Sequence, residues 1–191
     1  MEIEGGATPP FFVRRAQISS VPPHTRPILS NDGLRTVNPA QRSIAEDVEA
    51  LTEEVIAGTS YFLVDIQVRG HKGTRVVEVY IDSAQDFGHD DLAVVSKELG
   101  FLLDVEDIVD GSYKLEVSSP GIKRPLQVPQ QYQKNVGRTL RVRYRLDTDE
   151  EIVVGDLMDA NDRAVELELA SGERLELPYT AITQARVELP W

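Results

Sequence analysis

The sequence predicts an α+β protein. An N-terminal α-β-β-α-β domain, with a three-stranded sheet and two helices, is followed by a small C-terminal β-barrel of the SH3 or Sm kind. Three observations predict this. Apolar residues recur at helical spacing in two stretches between residues 40 and 103, segments of period two lie between and after them, and beyond Pro120-Gly121 the pattern changes to five short strands separated by polar turns. The chain has 191 residues, of which 41% are hydrophobic and only 6% aromatic, so it can bury cores that are mainly aliphatic.

Six of the eleven prolines fall in the first 39 residues and 1–38 show no sustained period, which predicts a disordered, proline-rich extension over 1–38. Asn38-Pro39 then reads as a helix cap with proline at the first helical position. Ile44, Val48, Leu51 and Val55 share one helical face, acids cover the other, and Gly58 is a natural stop. Two strands follow. In 61–68, Phe62, Val64, Ile66 and Val68 alternate, and in 74–82 Val77, Val79 and Ile81 do the same, with the basic hairpin tip Arg69-Gly70-His71-Lys72-Gly73 between them. A second helix is expected over 90–103 with Leu92, Val95, Leu99 and Leu102 inward, then a third strand over 113–118. This N-terminal domain spans 39–122. The barrel domain with its linker spans 123–191, with a short helical piece at 130–136 and strands at 139–146, 152–158, 164–170, 174–177 and 185–189.

Charge is uneven. The chain carries 32 acids against 20 bases, a net −12, which argues against a protein that coats nucleic acid with its whole surface. Yet from Lys114 to Arg145 there are eight bases and one acid, Glu116. Arg141, Arg143 and Arg145 alternate on one strand face, where three planar guanidinium forks can clamp phosphates. The competing reading pairs them with Asp156 or Glu166 of the barrel. Lys123, Arg124, Lys134 and Arg138 enlarge the basic stretch.

No cysteine is present, which excludes disulfides, thiolate nucleophiles and zinc fingers and makes a reducing cytoplasm the expected compartment. There is no apolar run long enough to span a membrane, no GxGxxG and no Walker A sequence. His24, His71 and His89 lack partners at metal-ligand or catalytic spacing. Asp82, Asp86, Asp90 and Asp91 lack the ligand order of a calcium loop, and Asp90 and Asp91 more simply complement a helix N-terminus. No catalytic residue, metal site or cofactor is therefore expected.

The segment Leu115-Glu116-Val117-Ser118-Ser119-Pro120-Gly121-Ile122-Lys123-Arg124-Pro125-Leu126 is a strand running into a stiff corner. Pro120-Gly121 suits a type II turn, with the serines free to bond backbone groups. It resembles the signature of the ribosome maturation factor RimP family. So do Val64-Asp65-Ile66 to Ile81-Asp82, Leu102 to Asp107, Tyr132 with Val136-Gly137, Gly155-Asp156-Leu157, Leu177-Pro178, and Ile182 with Ala185-Arg186. Lys123, where the family often has an acid, and the long proline-rich extension are departures. The resemblance implies a cytoplasmic, monomeric, non-enzymatic factor for assembly of the small (30S) ribosomal subunit. Its partners would be precursor rRNA and a basic ribosomal protein, with no membrane and no small-molecule substrate. The site residues expected on these grounds are Ser118, Ser119, Pro120, Gly121, Lys123, Arg124, Lys134, Arg138, Arg141, Arg143 and Arg145. Two other readings compete: an SH3-like protein-interaction module, for which Tyr144, Tyr179 and Trp191 are thinly spread aromatics, and a metal-dependent hydrolase using the carboxylates of 82–110.

Overall fold

The computed structural model of the chain describes residues 13–15, 43–146 and 149–189. They form two compact units, the first of residues 43–130 and the second of residues 131–189 together with 13–15. The first is a mixed α/β unit and the second is built on a separate sheet with five antiparallel strands.

Chain order begins with β1 (Val13–Arg15), which pairs in parallel with residues 174–176 of the second unit. The prolines of the extension therefore do not abolish regular structure at this point: the three residues fall between Pro10 and Pro22, where no ring deletes a donor. The rest of 1–38, like Asn38-Pro39, lies outside the described residues.

In the first unit, α1 (Ile44–Ile56) starts at a capping box. The Ser43 Oγ accepts from the Glu46 N–H at 3.3 Å, and the Glu46 carboxylate accepts from the Ser43 N–H at 2.6 Å. β2 (Tyr61–Arg69) and β3 (Arg75–Ser83) form the expected hairpin. α2 (His89–Val105) then carries the chain back so that β4 (Tyr113–Ser118) lies parallel to β3, giving the sheet order β2-β3-β4. The core is Val48 and Ile56 of α1, Val77, Val79 and Ile81 of β3, and Val95, Leu99 and Leu103 of α2. The helical faces are rotated slightly from the expected ones: Thr52 and Ile56 are buried with Val48, and Leu103 goes inward where Leu102 was expected. Thr52 tolerates burial because its hydroxyl donates to the Val48 carbonyl at 2.6 Å.

The alternation expected along β2 is broken. Its register with β3 shifts between Leu63 and Asp65, so a bulge inserts Val64 as an extra residue. Leu63 and Ile66, three positions apart, both pack on the core, while Phe62 and Val68 do not join it. β3 is the middle strand and is buried on both faces, with Glu78, Asp82 and Ser83 inside as well as its valines.

α3 (Pro129–Lys134) leads into the second unit. β5 (Thr139–Leu146), β6 (Asp149–Ala160), β7 (Ala164–Leu169), β8 (Arg174–Pro178) and β9 (Ile182–Val187) follow, with a 3₁₀ turn at Tyr179–Ala181. The hydrogen-bonded order is β1-β8-β7-β6-β5-β9, and no pairing among the described residues joins its two ends. β6 is longer than expected because Asp149 to Asp156 pair with the whole of β5, from Leu146↔Asp149 to Thr139↔Asp156, and the strand then continues against β7 to Ala160↔Val165. Gly155 is required there by contact: a Cβ would meet the Glu168 carbonyl oxygen at 2.8 Å. Leu140, Val142, Leu157, Val165, Leu167, Leu177 and Ala185 fill the buried face. No helix among the described residues is long and apolar enough to cross a membrane.

Leu99 is fully buried. Leu99→Ala should lower the unfolding free energy of the first unit by about 2–5 kcal/mol, measured by denaturant titration. Asp91 offers a pH test. Its carboxylate accepts from the Gly88 N–H at 2.8 Å, and that bond, then the Tyr61 hydroxyl, holds it below its usual value of 3.8. A depressed folded value contributes stability above the unfolded value, and that contribution is lost as pH falls through the folded one. Asp91→Asn should therefore melt lower than wild type at neutral pH, and the two curves should converge below pH 3.8.

Candidate functional site

The strand β5 has the sequence Thr-Leu-Arg-Val-Arg-Tyr-Arg-Leu. Alternation sends Leu140, Val142 and Tyr144 into the core and Arg141, Arg143 and Arg145 outward. Register adds neighbours that spacing alone does not reveal. Val154 stands opposite Arg141, Ile152 opposite Arg143, and on the other side Arg186 stands opposite Arg141. Ile152, Val154 and Met158 are exposed. The outer face of β9-β5-β6 is therefore a sheet surface of four arginines interleaved with aliphatic side chains. Arg186 lies far outside the basic run of the sequence, and only strand pairing brings it in.

The row is paired internally, though not with the carboxylates expected. Arg141 bonds Glu188, while Arg143 and Arg145 reach Glu150 at 3.5 and 3.6 Å. Asp156 instead accepts from the Thr139 hydroxyl at 2.6 Å, and Glu166 pairs with Arg174 at 2.8 Å. The cause is register: Glu150 sits directly across from Arg145, whereas Glu166 is on β7, one strand further away. All three arginines remain about half exposed in these pairs. Exposed pairs are worth roughly 0–1 kcal/mol, so a phosphate can displace the carboxylates at little cost. Arg186 is exposed and has no side-chain partner among the described residues. Arg138, at the foot of β5, is likewise exposed and lines a groove of about 480 Å³ with Thr139, Val187, Glu188 and Leu189. Lys134 is exposed in the last turn of α3.

In the first unit the corner after β4 has a different geometry from the expected type II turn. Gly121 does take a positive φ of 66°, as only glycine does readily. The turn bond, however, runs from the Arg124 N–H to the Gly121 carbonyl at 3.4 Å, which puts Ile122 and Lys123 at the tip. Ser118 is the last residue of β4, paired with Tyr80, and among the described residues neither its side chain nor that of Ser119 makes a hydrogen bond. Arg124 explains the shift. Its guanidinium bonds Asp65 of β2 and lies 3.8 Å over the Tyr80 ring of β3, leaving its side chain only 20% exposed. The corner is thus pinned to the sheet from behind. Lys123 and Ile122 are left exposed in front, and Lys123 has no partner among the described residues. Lys114, the first base of the run, pairs with Glu116 at 2.6 Å.

Four of the nine carboxylates of 82–110 have a structural place. Asp82 is buried and accepts from the Ser83 N–H, Asp91 caps α2, Asp104 accepts from the Tyr113 hydroxyl at 2.7 Å, and Asp110 pairs with Lys72 at 3.4 Å. Among the described residues no three His, Asp or Glu side chains are gathered as metal ligands. The aromatics of the second unit are internal. Tyr144 is buried, and Tyr179 packs on buried Tyr132 with 5.0 Å between ring centroids. Burial, helped by Asp162 and Asp159, pushes the Tyr179 hydroxyl up to about 12. Trp191 lies outside the described residues.

Residues 51–123 match the family model of the RimP N-terminal domain. These residues belong to the RimP family. The match runs from Leu51 in α1 through the whole sheet and α2 to Lys123, so the RimP domain includes the corner and ends at its tip. A RimP N-terminal domain points to a role in ribosome maturation. The arginine row of β5 lies beyond the matched residues.

Arg124→Ala should destabilise the RimP domain by about 1–3 kcal/mol, because a charged hydrogen bond and the packing on Tyr80 are both removed. Arg124→Lys should recover little of it, because an ammonium cannot fork and stack at once. Lys123→Ala should stay within about 0.5 kcal/mol of wild type in the same denaturant titration.

Proposed function

We propose that the protein is a cytoplasmic ribosome maturation factor that serves assembly of the small (30S) subunit, holding precursor rRNA and a basic ribosomal protein without catalysing a reaction. The observation that carries the reading is the RimP N-terminal domain over residues 51–123. In this reading the chain acts as a monomer with a domain of 39–122 and a second of 123–191. The second is an SH3- or Sm-like barrel. Five strands bury one continuous face, and the six-residue α3 is too small to cover it, so the sheet must curl on itself to exclude water.

RNA contact falls to two basic surfaces. One is the outer face of β5, with Arg141, Arg143, Arg145 and Arg186, continued by Arg138 and Lys134. The other is the corner Ser118-Ser119-Pro120-Gly121, which presents Lys123 while Arg124 positions it. A few phosphate contacts on an otherwise acidic chain give binding that is specific in place yet reversible, as a factor that must leave its product requires. The acids that dominate the rest of the chain complement the basic character of ribosomal proteins. A peptide-binding SH3 groove is disfavoured by the burial of Tyr144 and the packing of Tyr179 on Tyr132.

Co-sedimentation with immature small subunits tests the reading. Changing Arg141, Arg143 and Arg145 together to glutamine should weaken association by roughly an order of magnitude. It should also flatten the salt slope by roughly 0.7–0.9 for each phosphate that is no longer neutralised. Melting temperature should barely move, since the three side chains point away from the core. A lower melting temperature with unchanged affinity and slope would make the row structural and leave Lys123 as the RNA contact to test.

A further inference from the structure

The helix α2 is apolar on two sides. Val95, Leu99 and Leu103 enter the core, whereas Val94, Phe101 and Val105 leave 57%, 67% and 59% of their surface exposed. At 100° per residue these three lie within about 40° of one another, so they form a stripe rather than a scatter. Val94 and Phe101, with Leu102 and with Val55 of α1, floor an open groove of about 620 Å³ between the two helices. Glu54 and Glu98 stand in its lining, and Lys97 is its single base. The fold of the unit does not need an exposed phenylalanine at 101, because Leu99 and Leu103 already supply the contact with the sheet.

The surroundings select the occupant. α1 contributes Glu46, Asp47, Glu49, Glu53 and Glu54 with no base, and α2 contributes Asp90, Asp91, Glu98 and Asp104 against Lys97. A second copy of the chain would set the same acids against each other. An RNA backbone or an anionic membrane would be repelled for the same reason. We infer that the groove between α1 and α2 docks a lysine- and arginine-rich protein segment. One or two apolar side chains of that segment seat against Phe101 and Val94 while its cations meet Glu54 and Glu98. This rests on the reading that the chain handles a basic ribosomal protein, and it names the surface that does so. The two halves have separate effects: a desolvated aromatic anchor slows dissociation, and the acidic rim speeds encounter.

The test uses the full-length chain and small-subunit ribosomal proteins, purified singly, in calorimetric titrations at two salt concentrations. At least one of these proteins should bind wild type. Phe101→Ser should weaken that binding about ten-fold or more. Glu54→Lys combined with Glu98→Lys should weaken it comparably and flatten its salt dependence. All the groove substitutions are at exposed or rim positions, so melting temperatures should hold. If Phe101→Ser melts early, the charge-reversed variant decides alone. Equal affinity of the groove variants and wild type would overturn the inference, as would a concentration-dependent dimer abolished by Phe101→Ser. Wild type that binds none of the proteins but still sediments with precursor subunits would overturn the docking site and leave the assembly role standing. Loss of both would overturn both.

Discussion

Burial of β3 on both faces is the constraint from which most of the first unit follows. A middle strand of a three-stranded sheet can put Val77, Val79 and Ile81 under two helices, but its other face then carries Glu78, Tyr80 and Asp82. Burying carboxylates without partners is costly, so that face must be covered by groups that satisfy them. Arg69 does this for Glu78, and Arg124 lies over Tyr80 while bonding Asp65. The bulge at Val64 belongs to the same solution, since it lets β2 put Leu63 and Ile66 on the helical side while Asp65 meets Arg124. The geometry of the corner is a consequence. Once Arg124 is held, the turn closes at Gly121, and Ile122 and Lys123 have nowhere to go but out.

The two units handle arginine in opposite ways. Arg124 is largely removed from water, fixed by a carboxylate on one strand and a ring on the next, and its loss would be felt as lost structure. The arginines of β5 are themselves about half exposed and are held only by carboxylates at the edge of hydrogen-bonding distance or on a neighbouring segment. Such pairs keep a row of guanidiniums extended and ordered while costing little to exchange. A surface of that kind is pre-organised for phosphates without being committed to them. Glu150 is shared between Arg143 and Arg145, so in the proposed function a single anion bridging both would release it.

Much of this was legible in the sequence. The order α-β-β-α-β, the five later strands and the outward alternation of Arg141, Arg143 and Arg145 are read from periodicity, because each element is long enough for its apolar stripe to dominate. Helix and strand faces were less legible where a local event resets the phase. The Val64 bulge turns a period of two into a step of three, and nothing in Phe-Leu-Val-Asp-Ile marks which residue is the extra one. Thr52 is missed as a buried residue because its polarity is cancelled by a bond to its own helix. Among the candidate site residues, the basic run identified Arg124 and Lys123 together, yet their roles diverge through a bond that Arg124 makes 59 residues away in sequence. Arg186 was invisible as a site residue because its membership comes only from the β5–β9 register.

Charge on this chain is segregated rather than balanced. The two helices of the first unit carry nine acids and one lysine, while the outer face of the second unit's sheet concentrates arginines. The net −12 therefore misdescribes either surface taken alone. Exposed charges more than about 8–10 Å from a bound partner are largely screened by salt, so a partner responds to the face it approaches and not to the total. A mostly acidic chain can then hold a polyanion at one sheet face, provided the contacts are few and local. In the proposed function the same acidity would keep the rest of the molecule off the polyanion, limiting the grip to that face and making release a matter of exchanging a handful of surface pairs.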